Sequence, residues 1–172
     1  METKSLVLYP GTFDPITLGH IDIIKRASGI FREVVVAVVK NPSKDTLFSY
    51  QERLELVKSS IKNIKNTRVV GFTGLVVDFA KSNNIKVVIR GLRMISDFEY
   101  EFQMALTNRS LVSQIETIFL MPSPQYSYIS SKLIKEAAFL GADLKKFLPK
   151  TVIKALKKKI NLKAKINENS SS

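Results

Sequence analysis

The chain has 172 residues, of which 45% are hydrophobic, and this length predicts one α/β domain with a sizeable core rather than two ordinary domains. Its apolar segments are too short to cross a bilayer and its N-terminus lacks the features of a signal peptide, so we expect a soluble cytoplasmic protein with no membrane contact. The absence of cysteine excludes disulfides and thiolate sites. Twenty-seven basic against fifteen acidic residues give a net charge of +12, which would attract phosphate-bearing partners.

Short β-branched apolar segments alternate with amphipathic segments of helical length, the pattern of βαβ units. The predicted strands cover residues 5–9, 33–39, 67–72, 86–90 and 115–121. The predicted helices cover residues 18–31, 50–62, 76–83, 97–111, 131–140 and 151–160. Five parallel strands with crossover helices predict a doubly wound, Rossmann-like sheet, which binds ligands outside the carboxyl ends of its strands.

Two helix starts match the capping box, in which Ser precedes Glu by three residues: Ser49 with Glu52, and Ser96 with Glu99. After Thr151 the sequence is rich in lysine and ends in a polar segment. We therefore predict one domain over residues 1–160 and a disordered basic and polar tail over residues 161–172.

The segment PGTFDPITLGH follows the first predicted strand and contains the chain's one histidine, His20. Gly11 and Gly19 would let the backbone approach a ligand, and the helix that begins near Leu18 would direct its N–H groups there. Because a positive helix end disfavours the imidazolium, we expect His20 to be a neutral donor to a phosphate oxygen. The alternative is that the glycines only form a turn and that His20 covers the helix start.

GTFDPITLGH resembles the T/H-x-G-H signature of the nucleotidyltransferase superfamily, and YPGTFDPIT ahead of GH is similar to bacterial phosphopantetheine adenylyltransferases. The segments NPSK, VVGFTGL, IRGLRMISDFEYE, MALTNR, FLMPSPQYSYISS and LIKE resemble that family in order and spacing, from about Leu6 to Leu156. The resemblance implies transfer of the adenylyl group of ATP to 4′-phosphopantetheine, giving dephospho-coenzyme A and pyrophosphate. It also implies a homohexamer and Mg²⁺ bound through the ATP phosphates, with no metal-ligating side chain.

The attacking phosphate of this reaction is already ionised near neutral pH, so no protein base or covalent intermediate is needed, and catalysis depends on positioning and charge. The resemblance assigns catalytic roles to Thr12, His20, Lys44 and Arg93. It assigns ATP binding to Thr12, Phe13, His20, Gly91, Leu92, Arg93, Glu101, Tyr126, Ser127, Tyr128, Ile129, Ser130, Ser131 and Lys132. It assigns phosphopantetheine binding to Thr12, Lys44, Leu75, Val76 and Arg90.

Arg90 and Arg93 flank Gly91 at the end of the fourth predicted strand. Two guanidinium groups at the ligand edge of a sheet can each hold phosphate oxygens in a fork, although a terminal arginine is often only exposed. Without the resemblance, Lys44 and Glu101 would be interpreted as surface charges.

Ser130 and Ser131 open the fifth predicted helix, where they either offer groups to phosphate or cap the helix.

The sequence departs from the family's pattern at two places. Gly74 occupies a position where an acidic residue is common. Lys132 occupies a position where a small hydroxyl residue is usual, and its charge either replaces a hydroxyl contact to the β- or γ-phosphate or points away.

Two other functions fit parts of the sequence. Transfer to another phosphate acceptor, such as a mononucleotide or a polyol phosphate, is opposed by the IRGLR and ISDFEYE segments. A nucleic-acid-binding module is suggested by the charge of +12, but part of that charge belongs to the lysine-rich end and no recognised nucleic-acid motif is present. We therefore predict no nucleic-acid partner.

Overall fold

The computed structural model describes residues 5–40, 45–93 and 95–170, with backbone only for residues 95–97 and 163–170. Its strands are β1 (Leu6–Gly11), β2 (Glu33–Val39), β3 (Thr67–Phe72), β4 (Val87–Gly91) and β5 (Glu116–Leu120). Its helices are α1 (Leu18–Ile30), α2 (Tyr50–Ile61), α3 (Val76–Ser82), α4 (Ile95–Leu111), α5 (Ser131–Phe139) and α6 (Lys150–Ser170), with a 3₁₀ turn at Pro124–Tyr126.

All five strands form one parallel sheet in the order β3-β2-β1-β4-β5. The chain winds outward from β1 to β3, then returns to place β4 on the other side of β1. The switch in strand order therefore lies between β1 and β4, where such sheets bind ligands. This order confirms the predicted doubly wound, five-stranded α/β fold.

Side chains of the central strands alternate between two apolar layers. Val34, Val36 and Val38 of β2 pack in the larger layer, with residues of α1, α2, α5 and α6. Val35 and Ala37 pack on the other face, with residues of α3. Because both faces are covered, these strands consist of continuous apolar residues.

The capping box at the start of α2 is confirmed. The Glu52 N–H donates to Ser49 Oγ at 3.2 Å, and the Ser49 N–H donates to Glu52 Oε2 at 2.7 Å.

The capping box predicted for Ser96 and Glu99 is wrong, because α4 begins at Ile95 and Ser96 already lies within its first turn. Sheet pairing continues to Leu92, whose N–H donates to the Leu120 carbonyl at 3.1 Å. Because Ser96 is already part of the helix, its backbone does not have the extended conformation of an N-cap residue.

The final helix is longer than the predicted 151–160: α6 runs from Lys150 to Ser170, through most of the segment predicted to be a disordered tail. No glycine or proline follows Lys150, and lysine, leucine and alanine favour helix. Val152 and Leu156 of α6 are buried, and Lys159 Nζ pairs with Glu52 at 2.8 Å, so contacts with the domain fix the first half of this helix. None of the helices in the described ranges is long and apolar enough to span a membrane.

Candidate active site

A cleft of about 320 Å³ lies at the carboxyl ends of β1 and β4, between the loops that follow these strands and the start of α5. Most side chains predicted for the site line it: Thr12, Phe13, His20, Arg90, Gly91, Arg93, Glu101, Ile129, Ser130, Ser131 and Lys132. The topological switch point thus brings together residues that are more than 100 positions apart in the sequence.

Several predicted site residues do not line this cleft. Leu92, Tyr126, Ser127 and Tyr128 belong to segments that border it. Leu75 and Val76 lie at the start of α3, with Leu75 half exposed, and Lys44 lies outside the described residues. The binding roles of all these residues stay predictions.

Gly11 and Phe13 interact in a way that the sequence did not indicate. A Cβ added at Gly11 would lie 2.8 Å from Cζ of Phe13, so glycine makes room here for that ring rather than for a ligand. Phe13 is buried, with a positive φ of 50°, and its ring packs edge-on against the His20 ring at a centroid distance of 5.2 Å. Phe13 can therefore reach a nucleotide mainly through its backbone.

His20 is fixed by Thr17, the N-cap residue of α1. The Thr17 backbone N–H donates to His20 Nδ1 at 3.1 Å, and Thr17 Oγ1 lies 2.9 Å from the same nitrogen. The His20 N–H in turn approaches Thr17 Oγ1 at 3.4 Å. Together these contacts form a capping box in which histidine takes the place of the usual Glu or Gln. The signal was present as Thr-x-x-His and was missed because histidine is not the usual partner.

The imidazole of His20 is neutral near neutral pH. Burial in the cleft lowers its pKa from 6.5 to about 4, and the charges of Arg93 and Arg90 act in the same direction. The ring remains partly accessible from the cleft. The predicted neutral state thus agrees with the structure, and burial and two arginines are causes that the sequence did not indicate.

Arg90 makes a two-point ion pair with Glu101 across the cleft. Burial opposes the charge of Arg90, but the hydrogen bonds and charge of Glu101 raise its pKa, so the guanidinium remains charged. A third bond, from Arg90 Nη1 to the Pro10 carbonyl at 3.2 Å, ties the end of β4 to the end of β1. Glu101, assigned to ATP by resemblance, contacts Arg90 in this structure.

Arg93 connects the loop after β4 to the segment before α5, since its Nη1 donates to the Ile129 carbonyl at 3.0 Å. Ser130 caps α5 by accepting from the Leu133 N–H at 3.1 Å, and Ser131 Oγ donates to the Pro15 carbonyl at 2.8 Å. Both serines therefore have structural partners, while the helix start and Lys132 face the cleft.

Asp14 is a buried carboxylate that the sequence did not single out. Its oxygens accept from the Leu47 N–H at 3.0 Å and the Phe48 N–H at 2.9 Å, and Lys135 Nζ lies 2.5 Å from Oδ2. Asp14 thus joins the loop after β1, the segment before α2 and the cleft-lining face of α5. No local pattern could reveal a pairing between residues 121 positions apart.

Arg53 provides a second connection in the same region. It is buried, and its Nη1 donates to the Thr12 carbonyl at 2.6 Å and to the Val39 carbonyl at 2.9 Å. This side chain holds the ends of β1 and β2 together beneath Thr12, one of the predicted catalytic residues.

The model of the cytidylyltransferase-like family matches residues 8–137. A phosphopantetheine adenylyltransferase of Caldanaerobacter subterraneus subsp. tengcongensis is 54% identical over 154 residues, covering 90% of this chain and 96% of the relative. The phosphopantetheine adenylyltransferase of Clostridium tetani is 52% identical over 159 residues, covering 92% and 99% of the two chains.

A solved structure has the same fold at a much lower sequence identity. The nicotinic acid mononucleotide adenylyltransferase of Plasmodium falciparum is 17% identical and superimposes with a TM-score of 0.66, covering 90% of this chain and 95% of that one.

Proposed function

Because this chain belongs to the phosphopantetheine adenylyltransferases, within the cytidylyltransferase-like family, we propose that its cleft transfers the adenylyl group of ATP to 4′-phosphopantetheine. The products are dephospho-coenzyme A and pyrophosphate, in the biosynthesis of coenzyme A. The main support for placing this reaction in the cleft is that the neutral His20 lies there together with Arg90 and Arg93, at the switch point of the sheet.

A phosphate oxygen of 4′-phosphopantetheine attacks the α-phosphorus of ATP, a new P–O bond forms, and the bond to pyrophosphate breaks. The attacking group is already an anion, so the chain has to align two highly charged molecules and stabilise the charge that develops between them. The predicted site supplies cations and neutral donors for this purpose rather than a general base.

We assign His20 to the α-phosphate as a neutral N–H donor, because its low pKa keeps the ring uncharged while Thr17 holds it in place. Arg93 is assigned to ATP and Arg90 to the phosphate of 4′-phosphopantetheine. Thr12 and Lys44 are assigned to the transferring centre, and the bond from Arg53 to the Thr12 carbonyl supports the position of Thr12.

The phosphopantetheine arm is assigned to Leu75 and Val76, which begin α3 after β3. Leu92, Glu101 and the segment from Tyr126 to Lys132, which leads into α5, are assigned to ATP. Since Glu101 is bound to Arg90, its carboxylate marks the border between the two halves of the site.

Magnesium is proposed to enter as part of MgATP. The two acidic side chains of the cleft fit this arrangement, because Asp14 pairs with Lys135 and Glu101 pairs with Arg90, so the ATP phosphates are the better ligands for the ion. Within the described ranges, no group of three or more His, Asp or Glu side chains is placed to hold a metal. Bound in this way, magnesium would neutralise part of the negative charge of the ATP phosphates.

A cytoplasmic homohexamer is also proposed. An apolar stripe on α4 supports assembly, because Phe98, Phe102 and Leu106 recur every four residues and are each close to half exposed. The rings of Phe98 and Phe102 stack at a centroid distance of 5.6 Å, and Met121, which follows β5, is 71% exposed. Such a surface fits another copy of the chain. Light scattering coupled to size exclusion would give the stoichiometry.

The activity is tested by incubating the purified chain with ATP, magnesium and 4′-phosphopantetheine, then measuring pyrophosphate and dephospho-coenzyme A. Nicotinate mononucleotide and glycerol 3-phosphate serve as competing acceptors under the same conditions. Product from 4′-phosphopantetheine alone is expected, and comparable transfer to another acceptor would contradict the assignment.

A nucleic-acid role is separated by comparing duplex DNA binding with ATP binding across a salt series, since binding to DNA falls steeply with salt.

A further inference from the structure

The carboxylate of Asp22, in α1, binds the chain just after β5. The Ser123 backbone N–H donates to Asp22 Oδ2 at 2.8 Å, and the Ser123 hydroxyl donates to Oδ1 at 3.0 Å. The two residues are 101 positions apart in the sequence, and neither has an assigned role in the reaction. Both carboxylate oxygens thus hold the same residue, through hydrogen bonds that the negative charge strengthens.

Ser123 begins a hydrogen-bonded segment that leads to the cleft. It is the N-cap residue of the 3₁₀ turn at Pro124–Tyr126, yet its hydroxyl binds Asp22 instead of capping that turn. The Ser123 carbonyl accepts from the Tyr126 N–H at 2.8 Å, and the Tyr126 carbonyl accepts from the Ile129 N–H at 3.2 Å. Two backbone hydrogen bonds therefore connect Ser123 to Ile129, which lines the cleft.

This segment is fixed at both ends. The end nearer α5 is bound by Arg93, whose Nη1 donates to the Ile129 carbonyl at 3.0 Å. The end nearer β5 is bound by Asp22. Between them, Tyr126 lies against the first turn of α1, since a Cβ added at Gly19 would be 3.4 Å from the Tyr126 carbonyl oxygen. Loss of the Asp22 carboxylate would therefore free the β5 end of the segment while the α5 end stays bound.

We propose that Asp22 is a positioning residue for ATP binding, which holds the segment from Pro122 to Ile129 in place as one wall of the cleft. The inference rests on the proposed function, which assigns residues 126–129 to ATP. Among the residues that the structure describes, Asp22 and Ser123 are not part of the cleft lining, so Asp22 acts through the backbone of the segment. A wall that is already ordered lowers the entropic cost of binding ATP.

The first experiment compares Asp22→Ala with Asp22→Asn in the full chain. Alanine removes both acceptors, so we expect the Kd for MgATP, measured by calorimetry without the second substrate, to rise about tenfold. KM for ATP is expected to rise with it, while KM for 4′-phosphopantetheine stays within about twofold. Asparagine has the same shape and can accept from the Ser123 N–H and donate to the Ser123 hydroxyl, so it is expected to retain most of the affinity.

Asp143→Ala is the matched control. The Asp143 carboxylate also accepts from a backbone N–H, that of Lys145 at 3.1 Å, but it lies between α5 and α6 and away from the cleft. This variant is expected to keep the wild-type Kd for MgATP. A folded Asp22→Ala variant with the wild-type Kd, or an equal rise of KM for both substrates, would overturn the inference alone. A wild-type chain that binds no MgATP would overturn the proposed function and the inference with it.

The second experiment measures amide hydrogen exchange without substrates. Asp22→Ala is expected to speed exchange in the segment from Pro122 to Ile129 and to leave other helices and strands unchanged, because only local order is lost. Unchanged exchange in the segment, or faster exchange throughout the chain, would contradict a positioning role. If Asp22→Ala does not fold, Ser123→Ala removes the hydroxyl bond alone and is expected to raise the Kd for MgATP about threefold. An unchanged Kd in that variant would then decide against Asp22.

Discussion

Arg90 and Glu101 are joined by two parallel hydrogen bonds, Nε to Oε2 and Nη2 to Oε1, each 2.6 Å long. This fork fixes the plane of the guanidinium at the carboxyl end of β4 and uses part of its donor set. The remaining N–H groups of Arg90 are then pre-oriented for a phosphate. The fork thus connects Glu101, which is assigned to ATP, with Arg90, which is assigned to 4′-phosphopantetheine.

Glu101→Gln tests that connection. The substitution retains the size of the side chain but removes one charge and one acceptor, so we expect KM for 4′-phosphopantetheine to rise about tenfold, the effect of losing a charge-assisted hydrogen bond. Steady-state rates with each substrate varied in turn would measure it. Arg90→Lys is expected to give a similar rise, since an ammonium cannot form the fork. A change confined to KM for ATP would instead place Glu101 directly on the nucleotide.

His20→Ala is expected to lower kcat at least about a hundredfold, because a donor aimed at developing charge contributes about 3 kcal/mol. Circular dichroism and thermal unfolding should show a folded chain, slightly destabilised because His20 belongs to the capping box of α1. A well-folded variant with near wild-type turnover would refute the proposed role.

The stability of the chain should depend on pH through His20. Its pKa is about 4 in the folded chain against 6.5 ordinarily, so between these pH values the unfolded chain binds more protons. The contribution of His20 to the free energy of unfolding therefore falls as the pH drops from 6.5 towards 4 and is constant below that range. Urea unfolding of wild type and His20→Gln at several pH values isolates the effect, because glutamine does not titrate. Parallel curves for the two proteins would contradict the shift.

Asp14→Asn should destabilise the fold by about 3 kcal/mol, because it breaks a buried ion pair and weakens two hydrogen bonds to backbone N–H groups. Lys135→Met should also destabilise the fold, because it leaves the buried Asp14 carboxylate without its counter-charge. Urea unfolding of both variants and their double mutant gives the coupling energy. Strict additivity would mean that the ion pair contributes nothing.

Truncation after Asn161 should leave turnover within about threefold at physiological salt, where charges more than about 8 Å apart are screened. Leu156 and the Lys159–Glu52 ion pair remain in this shortened chain. Any rate effect is expected mainly at low ionic strength. The control is truncation after Ala155, which removes both contacts and should destabilise the domain. Loss of activity at every salt concentration in a folded Asn161 truncation would show that the tail reaches an active site.

The sheet could be predicted from the sequence because its evidence is local. Buried parallel strands consist of continuous apolar residues, and β2 and β3 begin and end where the pattern indicates. The Ser49 cap was predictable for the same reason, since both of its partners lie within one helical turn. The Ser96 cap was wrong because α4 begins at Ile95, and a local pattern places a helix start only to within one or two residues.

The site was only partly predictable. The first loop and the two arginines at the end of β4 could be placed at the ligand edge, because the fold class determines which strand ends meet. The causes of the histidine's low pKa, and the roles of Asp14 and Arg53, depend on contacts between distant segments. Such contacts leave no spacing in the sequence from which they could be inferred.

The strand order also determines when, during synthesis, the chain can form its site. Residues 6–72 already contain β1, β2 and β3, three adjacent strands of the final sheet. The opposite wall of the cleft comes from Arg90 to Lys135, which leave the ribosome later. A nascent chain that stops after β3 contains three of the five strand segments and His20, but neither Arg90 nor Arg93. The cleft that both arginines line can form only once β4 has been synthesised and has paired with β1.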